Sequence, residues 1–230
     1  MKDVPTLQVV LASAARLQQI VPDAVLVGGS AAALYAQHRE SFDHDHVLTD
    51  LVERYAEVVE AVESSAGWVT SVRASTPPLT LLGSLDGVEA GLRQLRRKRP
   101  LEVEEYVLDG QSVRVPTLPE MLRIKSFLIV QRNQVRDYLD TVALADRIGQ
   151  FAATRVLLGI DDYYADRSEG EDSVLTVLTQ RLSEPSPRDV RVTAQLSAYK
   201  GLEVRWHDWP VVVAACQQLA DGIIEALEER

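Results

Sequence analysis

Apolar and polar positions alternate with two different periods along this chain, and the change of period divides it. Leu7–Ile20 carries apolar residues at three- and four-residue spacing and predicts a helix. Ala24–Val27 is a short apolar strand, and Ser30–Gln37 predicts a short helix after a Gly-Gly turn, with Ser30 as its cap. Phe42–Leu48 alternates with period two and reads as a strand. Asp50–Ser65 predicts a helix capped by Asp50, with Leu51, Tyr55, Val58, Val59 and Val62 on one face. A β-rich stretch follows, in the segments WVTSVRAS, LTLLGSL, LEVEEYVL and QSVRVP, the last two joined by the turn signal Asp109-Gly110. Beyond Pro116 the period becomes helical: Thr117–Glu120 has the form of a capping box, and most of Phe151–Arg230 reads as helix around a Ser183–Asp189 loop. The pattern predicts an α+β domain over residues 1–116, a mixed sheet flanked by helices, followed by an all-helical part over 117–230.

With 46% hydrophobic residues in 230, the chain can build a substantial core. It has no run of 18 consecutive apolar residues, so no membrane span is expected, and the early Asp3 and Pro5 argue against a signal peptide. The single Cys216 cannot form an internal disulfide, which suits a reducing cytoplasm. The net charge of −10 speaks against a broad nucleic-acid face and against DNA sequence recognition. Charge is uneven, however. Gly91–Pro100 holds Arg93, Arg96, Arg97, Lys98 and Arg99 with no acid, while acid gathers in Asp161–Asp172. The basic run reads either as a solvated helix end or as a grip on an RNA backbone.

The sharpest chemistry lies in GGSAAALYAQHRESFDHDHV, which ends at Val47. On a strand, Asp43 and Asp45 share one face, roughly 6.5–7 Å apart at about 3.3 Å per residue. Such a pair can hold Mg²⁺ or Mn²⁺, and a divalent ion neutralises a triphosphate. Gly28 and Gly29 let backbone N–H groups approach phosphate oxygens, and Ser30 offers a hydroxyl at a helix N-terminus. His44 and His46 point the other way; zinc is the alternative reading for them, and packing on the far face is the simpler one.

The order strand, Gly-Gly-Ser, helix, Asp-x-Asp resembles the polymerase-β-like nucleotidyltransferase superfamily, with Asp43 13 positions after Ser30. It is similar more narrowly to the AbiEii/AbiGii/MenT toxin branch, whose pattern Arg39, Ser41, Asp43 and Asp45 match in order. The same branch has a lysine in a helix and a downstream Arg-Asp-x-x-Asp, matched by Lys125 and by Arg136, Asp137 and Asp140. The resemblance covers roughly Val25 to Asp146. It implies an NTP-using, Mg²⁺- or Mn²⁺-dependent transferase with Asp43, Asp45, Lys125 and Asp140 as catalytic residues and Lys125 on the triphosphate. It also implies a toxin, with tRNA as acceptor and a possible cognate antitoxin. Many members of the superfamily carry a third carboxylate on a later strand, for which Glu102 and Glu104 are candidates here. A continuous helix would bring Arg132, Arg136 and Asp140 onto the face of Lys125 and turn Asp137 away, leaving it to brace the helix or pair with an arginine. Nucleotidylation of a small molecule or of a protein, and an inactive nucleotide-binding relative, are the other readings.

Overall fold

The computed structural model describes residues 5–108, 110–167 and 172–229; Asp109 of the expected hairpin turn and part of the acidic Asp161–Asp172 stretch lie outside them. The chain forms two compact units. The first comprises Met1–Leu34 and Glu40–Thr117, and the second comprises Tyr35–Arg39 and Leu118–Arg230.

In the first unit, α1 (Leu7–Ile20) starts where the Thr6 hydroxyl accepts the Val9 N–H, 3.4 Å. It leads into β1 (Val25–Val27), and α2 (Gly28–Ala36) follows directly. Then come β2 (Asp43–Leu48), α3 (Leu51–Glu63), β3 (Trp68–Thr70), β4 (Thr80–Leu85), β5 (Val88–Gln94), β6 (Val103–Leu108) and β7 (Gln111–Pro116). The first five strands make one mixed sheet in the order β1-β2-β5-β4-β3, parallel only between β2 and β5. β6 and β7 form a separate two-stranded hairpin.

The sheet is two-faced. His44, His46, Leu48, Leu81, Leu85, Ala90 and Leu92 are buried, and the apolar ones among them pack with Leu17 of α1 and Val58 and Val62 of α3. Burying a leucine-sized side chain contributes about 1.5–3 kcal/mol, so this layer is the main adhesive of the unit. The opposite face carries Asp43, Asp45, Glu89, Arg93, Thr80, Leu82 and Ser84, all exposed or half-buried.

Three expectations change here. Asp50 makes no side-chain cap to α3; its carboxylate is taken by Arg54, 2.8 Å away, one helical turn on. WVTSVRAS is strand only over Trp68–Thr70. The basic run is neither a helix nor a helix end: Arg93 belongs to β5, and the residues from Leu95 to Pro100 form a loop. β5 follows a turn at Asp86-Gly87, both at positive φ (50° and 83°), where glycine and aspartate are the residues such a turn tolerates.

The described elements of the second unit are all helical. α4 (Leu118–Gln131) and α5 (Val135–Ile148) are separate helices rather than one. Asn133 takes φ 52°, and Gln134 then caps α5 in a reciprocal box with Asp137. The unit continues with α6 (Gln150–Leu158), the one-turn α7 (Asp161–Tyr164), α8 (Val174–Ser183) and α9 (Trp209–Glu228). Although no 18 consecutive residues are apolar, α9 is on average apolar enough, and at 20 residues long enough, to cross a membrane. Its buried stripe, Val212, Cys216, Leu219, Ala220 and Ile223, has the spacing of a helix packed on one side, and α5, α6 and α8 are its neighbours.

Candidate active site

Asp43 and Asp45 stand on the open face of β2, as the alternation requires. Each is oriented by a neighbour. The Ser41 hydroxyl donates to Asp43 Oδ1 at 3.1 Å, and Arg93 Nε donates to Asp45 Oδ1 at 3.1 Å. Asp45 is also held by what is missing around it. A Cβ on Gly91, its partner across the parallel pair, would come within 2.5 Å of Asp45 Oδ1. A Cβ on Gly28 would lie 3.4 Å from the Asp45 Cβ and 3.5 Å from Oδ2, and Gly28 has φ +76° besides. The carboxylate therefore lies over two glycines. One of them opens α2, whose first backbone N–H groups have no helical partner.

These carboxylates border a cleft of about 460 Å³ on the open sheet face. Glu89, Arg93, Ser71 and Ser84 also line it. Glu89 is in register with Asp43 on the next strand, so two like charges sit side by side, an arrangement that costs stability in the absence of a cation. Glu102 and Glu104, the third-carboxylate candidates, lie before and within β6, in the separate hairpin rather than beside Asp43.

The donor set fits a divalent ion of the Mg²⁺ or Mn²⁺ type: two hard carboxylates, each with Oδ1 engaged and Oδ2 open to a further ligand among the described residues. Among the described residues no group of three or more His, Cys, Asp or Glu is placed to hold a metal, so zinc finds no cage here. His44 and His46 are buried on the opposite face, their rings edge-to-face at 5.2 Å, with His44 Nε2 3.0 Å from the Ser13 hydroxyl.

Ser30 does not act as a cap. It lies inside α2, fully buried, and its hydroxyl donates to the Asp43 carbonyl oxygen. Its proton is thus spent on seating the start of β2, and only the backbone of Gly28, Gly29 and Ser30 is left to face a phosphate.

Within the second unit, Lys125 and Asp140 meet, Nζ to Oδ2 2.8 Å. They meet across two packed helices, not along one helical face, because the chain breaks at Asn133. Asp140 also receives Arg39 Nε at 2.7 Å and Nη2 at 2.9 Å, with His38 Nε2 at 2.7 Å. All four side chains are buried. Burial alone would raise the Asp140 carboxyl, but Lys125, Arg39 and His38 hold it well below the usual carboxylate range. Burial pulls Lys125 below the usual lysine range, with Asp140 opposing the shift. Asp137 turns away from this cluster and pairs with Arg132, 2.6 Å, while Arg136 is exposed.

Of the basic run, Arg93 is in the cleft, paired with Asp45. Arg97 is buried, its guanidinium donating to the carbonyls of Arg99 (2.8 Å) and Pro100 (2.9 Å). Arg96, Lys98 and Arg99 are exposed. The partnership of Arg93, the register of Glu89 and the hold of His38 on Asp140 were not expected. Recognising Asp86-Gly87 as a turn would have put Glu89, Gly91 and Arg93 on one strand face; nothing local to His38 announces its partner 102 positions away.

No family model matches the chain. It is 32% identical over 131 residues to the heme uptake protein MmpL11 of Mycobacterium tuberculosis, over 56% of this chain and 13% of that protein. It is 31% identical over 135 residues to the mycolic acid-containing lipids exporter MmpL11 of Mycolicibacterium smegmatis, over 57% of this chain. The chain thus spans only 13% of the length of these relatives. Among solved structures it is similar to MenT4, a nucleotidyltransferase toxin from M. tuberculosis H37Rv, with TM-score 0.63, 18% identity, and 95% of this chain and 83% of that one covered. A nucleotidyltransferase structure from H. pylori aligns over 100% of this chain and 98% of its own, with TM-score 0.55 and 16% identity. The antibiotic-resistance factor ANT(2'')-Ia, solved with adenylyl-2''-tobramycin, aligns over 71% of this chain and 100% of its own, with TM-score 0.50 and 14% identity. The chain has the nucleotidyltransferase fold.

Proposed function

We propose that this chain is a metal-dependent nucleotidyltransferase of the AbiEii/AbiGii/MenT type, which transfers NMP from an NTP to the 3′ end of a tRNA. In this reading it is the toxin of a cytoplasmic toxin–antitoxin or phage-defence pair, held in check by a cognate antitoxin. The observation that carries the reading is Asp45, seated over Gly28 and Gly91 with Asp43 two positions before it on the same strand face. A carboxylate that could take a cation thus lies against the glycine that opens a helix. The toxin assignment draws on the resemblance of the motif and on the similarity to MenT4.

Asp43 and Asp45 would hold the divalent ion. When bound, that ion supplies charge neutralisation at the triphosphate and Lewis-acid polarisation of the reacting phosphoryl group. The backbone N–H groups at the start of α2 receive phosphate oxygens. The acceptor hydroxyl oxygen forms a bond to the α-phosphorus, the bond from that phosphorus to the bridging oxygen breaks, and pyrophosphate leaves; the hydroxyl proton goes to solvent. No covalent enzyme intermediate is needed, and positioning with charge neutralisation supplies most of the rate. Lys125 and Asp140 act from within their buried cluster, where Asp140 also takes the Arg39 guanidinium.

A second reading, a small cationic acceptor, is favoured by the net charge of −10 and by the similarity to ANT(2'')-Ia. One assay separates the two. The protein is incubated with Mg²⁺, each α-labelled NTP in turn, and either total tRNA or an aminoglycoside panel, beside Asp45→Ala. Label in tRNA with the native protein only is expected. Label in the aminoglycosides alone moves the acceptor to a small molecule, and no label in either overturns both readings.

A further inference from the structure

The cleft on the open sheet face is lined by Asp43, Asp45 and Glu89, all acids, and by one guanidinium, that of Arg93. Arg93 reaches back along β5 to Asp45 Oδ1, 3.1 Å, the oxygen that lies over Gly91. Both side chains are part-exposed, 42% for Arg93 and 31% for Asp45, so the pair is open to competition. We propose that Arg93 is a phosphate-binding residue for the nucleotide, held on Asp45 until a divalent cation takes its place. This inference rests on the nucleotidyltransferase reading of the cleft.

Asp45 exchanges one partner for another. A carboxylate that already accepts a guanidinium offers less charge to a metal ion. A metal ion on Asp45 in turn repels the guanidinium and frees it. Once freed, Arg93 remains on a short, rigid strand inside a cleft whose other charged lining residues are acids. A triphosphate beside the metal is then the natural partner for its planar fork. Two carboxylates are too few to hold Mg²⁺ or Mn²⁺ tightly unaided; such ions are completed by substrate phosphates. Metal and nucleotide therefore help each other in, and Arg93 strengthens that mutual dependence by opposing the metal alone and assisting the nucleotide.

A variant should show effects of opposite sign. Mn²⁺ binding to the full chain is followed by electron paramagnetic resonance, alone and with each of the four NTPs carrying a non-hydrolysable α,β bridge. In Arg93→Gln, Mn²⁺ alone should bind about two- to fivefold tighter, the size of an exposed ion pair removed. The same variant should bind the Mn²⁺–nucleotide about ten- to a hundredfold more weakly, the loss of a charge-assisted hydrogen bond. Arg93→Lys, which keeps the charge without the fork, should retain the antagonism to Mn²⁺ and lose part of the nucleotide affinity. Thermal melting checks that each variant is folded. If Arg93→Gln weakens Mn²⁺ alone as well, Arg93 only orients Asp45 and the inference fails; if neither affinity moves, it fails too. If the native protein binds no Mn²⁺–nucleotide, or binds it equally well with Asp45→Asn, the underlying reading of the cleft falls, which the Arg93 variants alone would not show.

Discussion

Asp140 has no exposed surface, yet it is ionised, because Lys125, Arg39 and His38 surround its two oxygens. Removing one member of such a group leaves a buried charge without its partner, which costs about 3–5 kcal/mol. Lys125→Ala and Asp140→Ala should therefore melt roughly 6–20 °C below the native protein, at about 2–4 °C per kcal/mol for a chain of this size. Differential scanning calorimetry beside the labelling assay decides what the residues do. Loss of activity together with a fall in melting temperature makes the cluster an anchor; loss of activity at an unchanged melting temperature puts Lys125 on the substrate. The pairing itself was legible in the sequence only through the order of the motifs. One continuous helix would bring Asp140 onto the face of Lys125, but α4 ends at Gln131, Asn133 turns the chain, and the contact forms between two helices. His38 and Arg39 lie outside any periodic pattern, so their long-range partner could not be read from spacing.

At the scale of an element, β2 divides its labour by face: carboxylates on one side, two histidines buried on the other. Desolvation lowers His44 to about 4, with Asp43 opposing the shift, and takes His46 well below its ordinary value, with His44 adding to the fall. The groups facing His44 are the Ser13 hydroxyl of α1 and the His46 ring. Both histidines are neutral in the folded chain and protonate in the unfolded chain near 6.5, so the unfolded state binds more protons as the solution is acidified. Stability is full above pH 6.5 and falls between pH 6.5 and about 4, by about 3 kcal/mol from His44 alone. Urea melts across that range should show the decline, and a His44→Leu/His46→Leu variant should flatten it; a native protein equally stable at pH 4.5 and 7 would contradict it. β2 was legible because its alternation is strict. β5, its parallel partner, was missed because the Asp86-Gly87 turn that starts it was not recognised; Val88, Ala90 and Leu92 alternate with Glu89, Gly91 and Arg93 as regularly as the residues of β2 do. Glu89, Gly91 and Arg93 are the residues that face the cleft.

At the scale of the molecule, a net charge of −10 meets a proposed polyanionic acceptor. The α+β and helical parts were legible from the change of hydrophobic period. The fate of the basic run was not, because burial separates Arg97 from its neighbours and strand pairing separates Arg93. The exposed members of the run, Arg96, Lys98 and Arg99, are the candidates for an RNA backbone. With about three phosphates neutralised, the slope of log affinity against log salt should be about −2 to −3, so tRNA binding should fall roughly 16- to 64-fold between 50 and 200 mM salt. The overall acidity keeps that slope small compared with proteins that grip nucleic acid along a broad basic face. Arg96→Glu/Lys98→Glu/Arg99→Glu should remove tRNA binding in a filter assay while leaving Mn²⁺–nucleotide binding unchanged, since none of the three lines the cleft. If instead the triple variant labels its acceptor at the native rate, the acceptor does not depend on these cations. The net negative charge would then serve to attract a cationic small molecule into the acidic cleft.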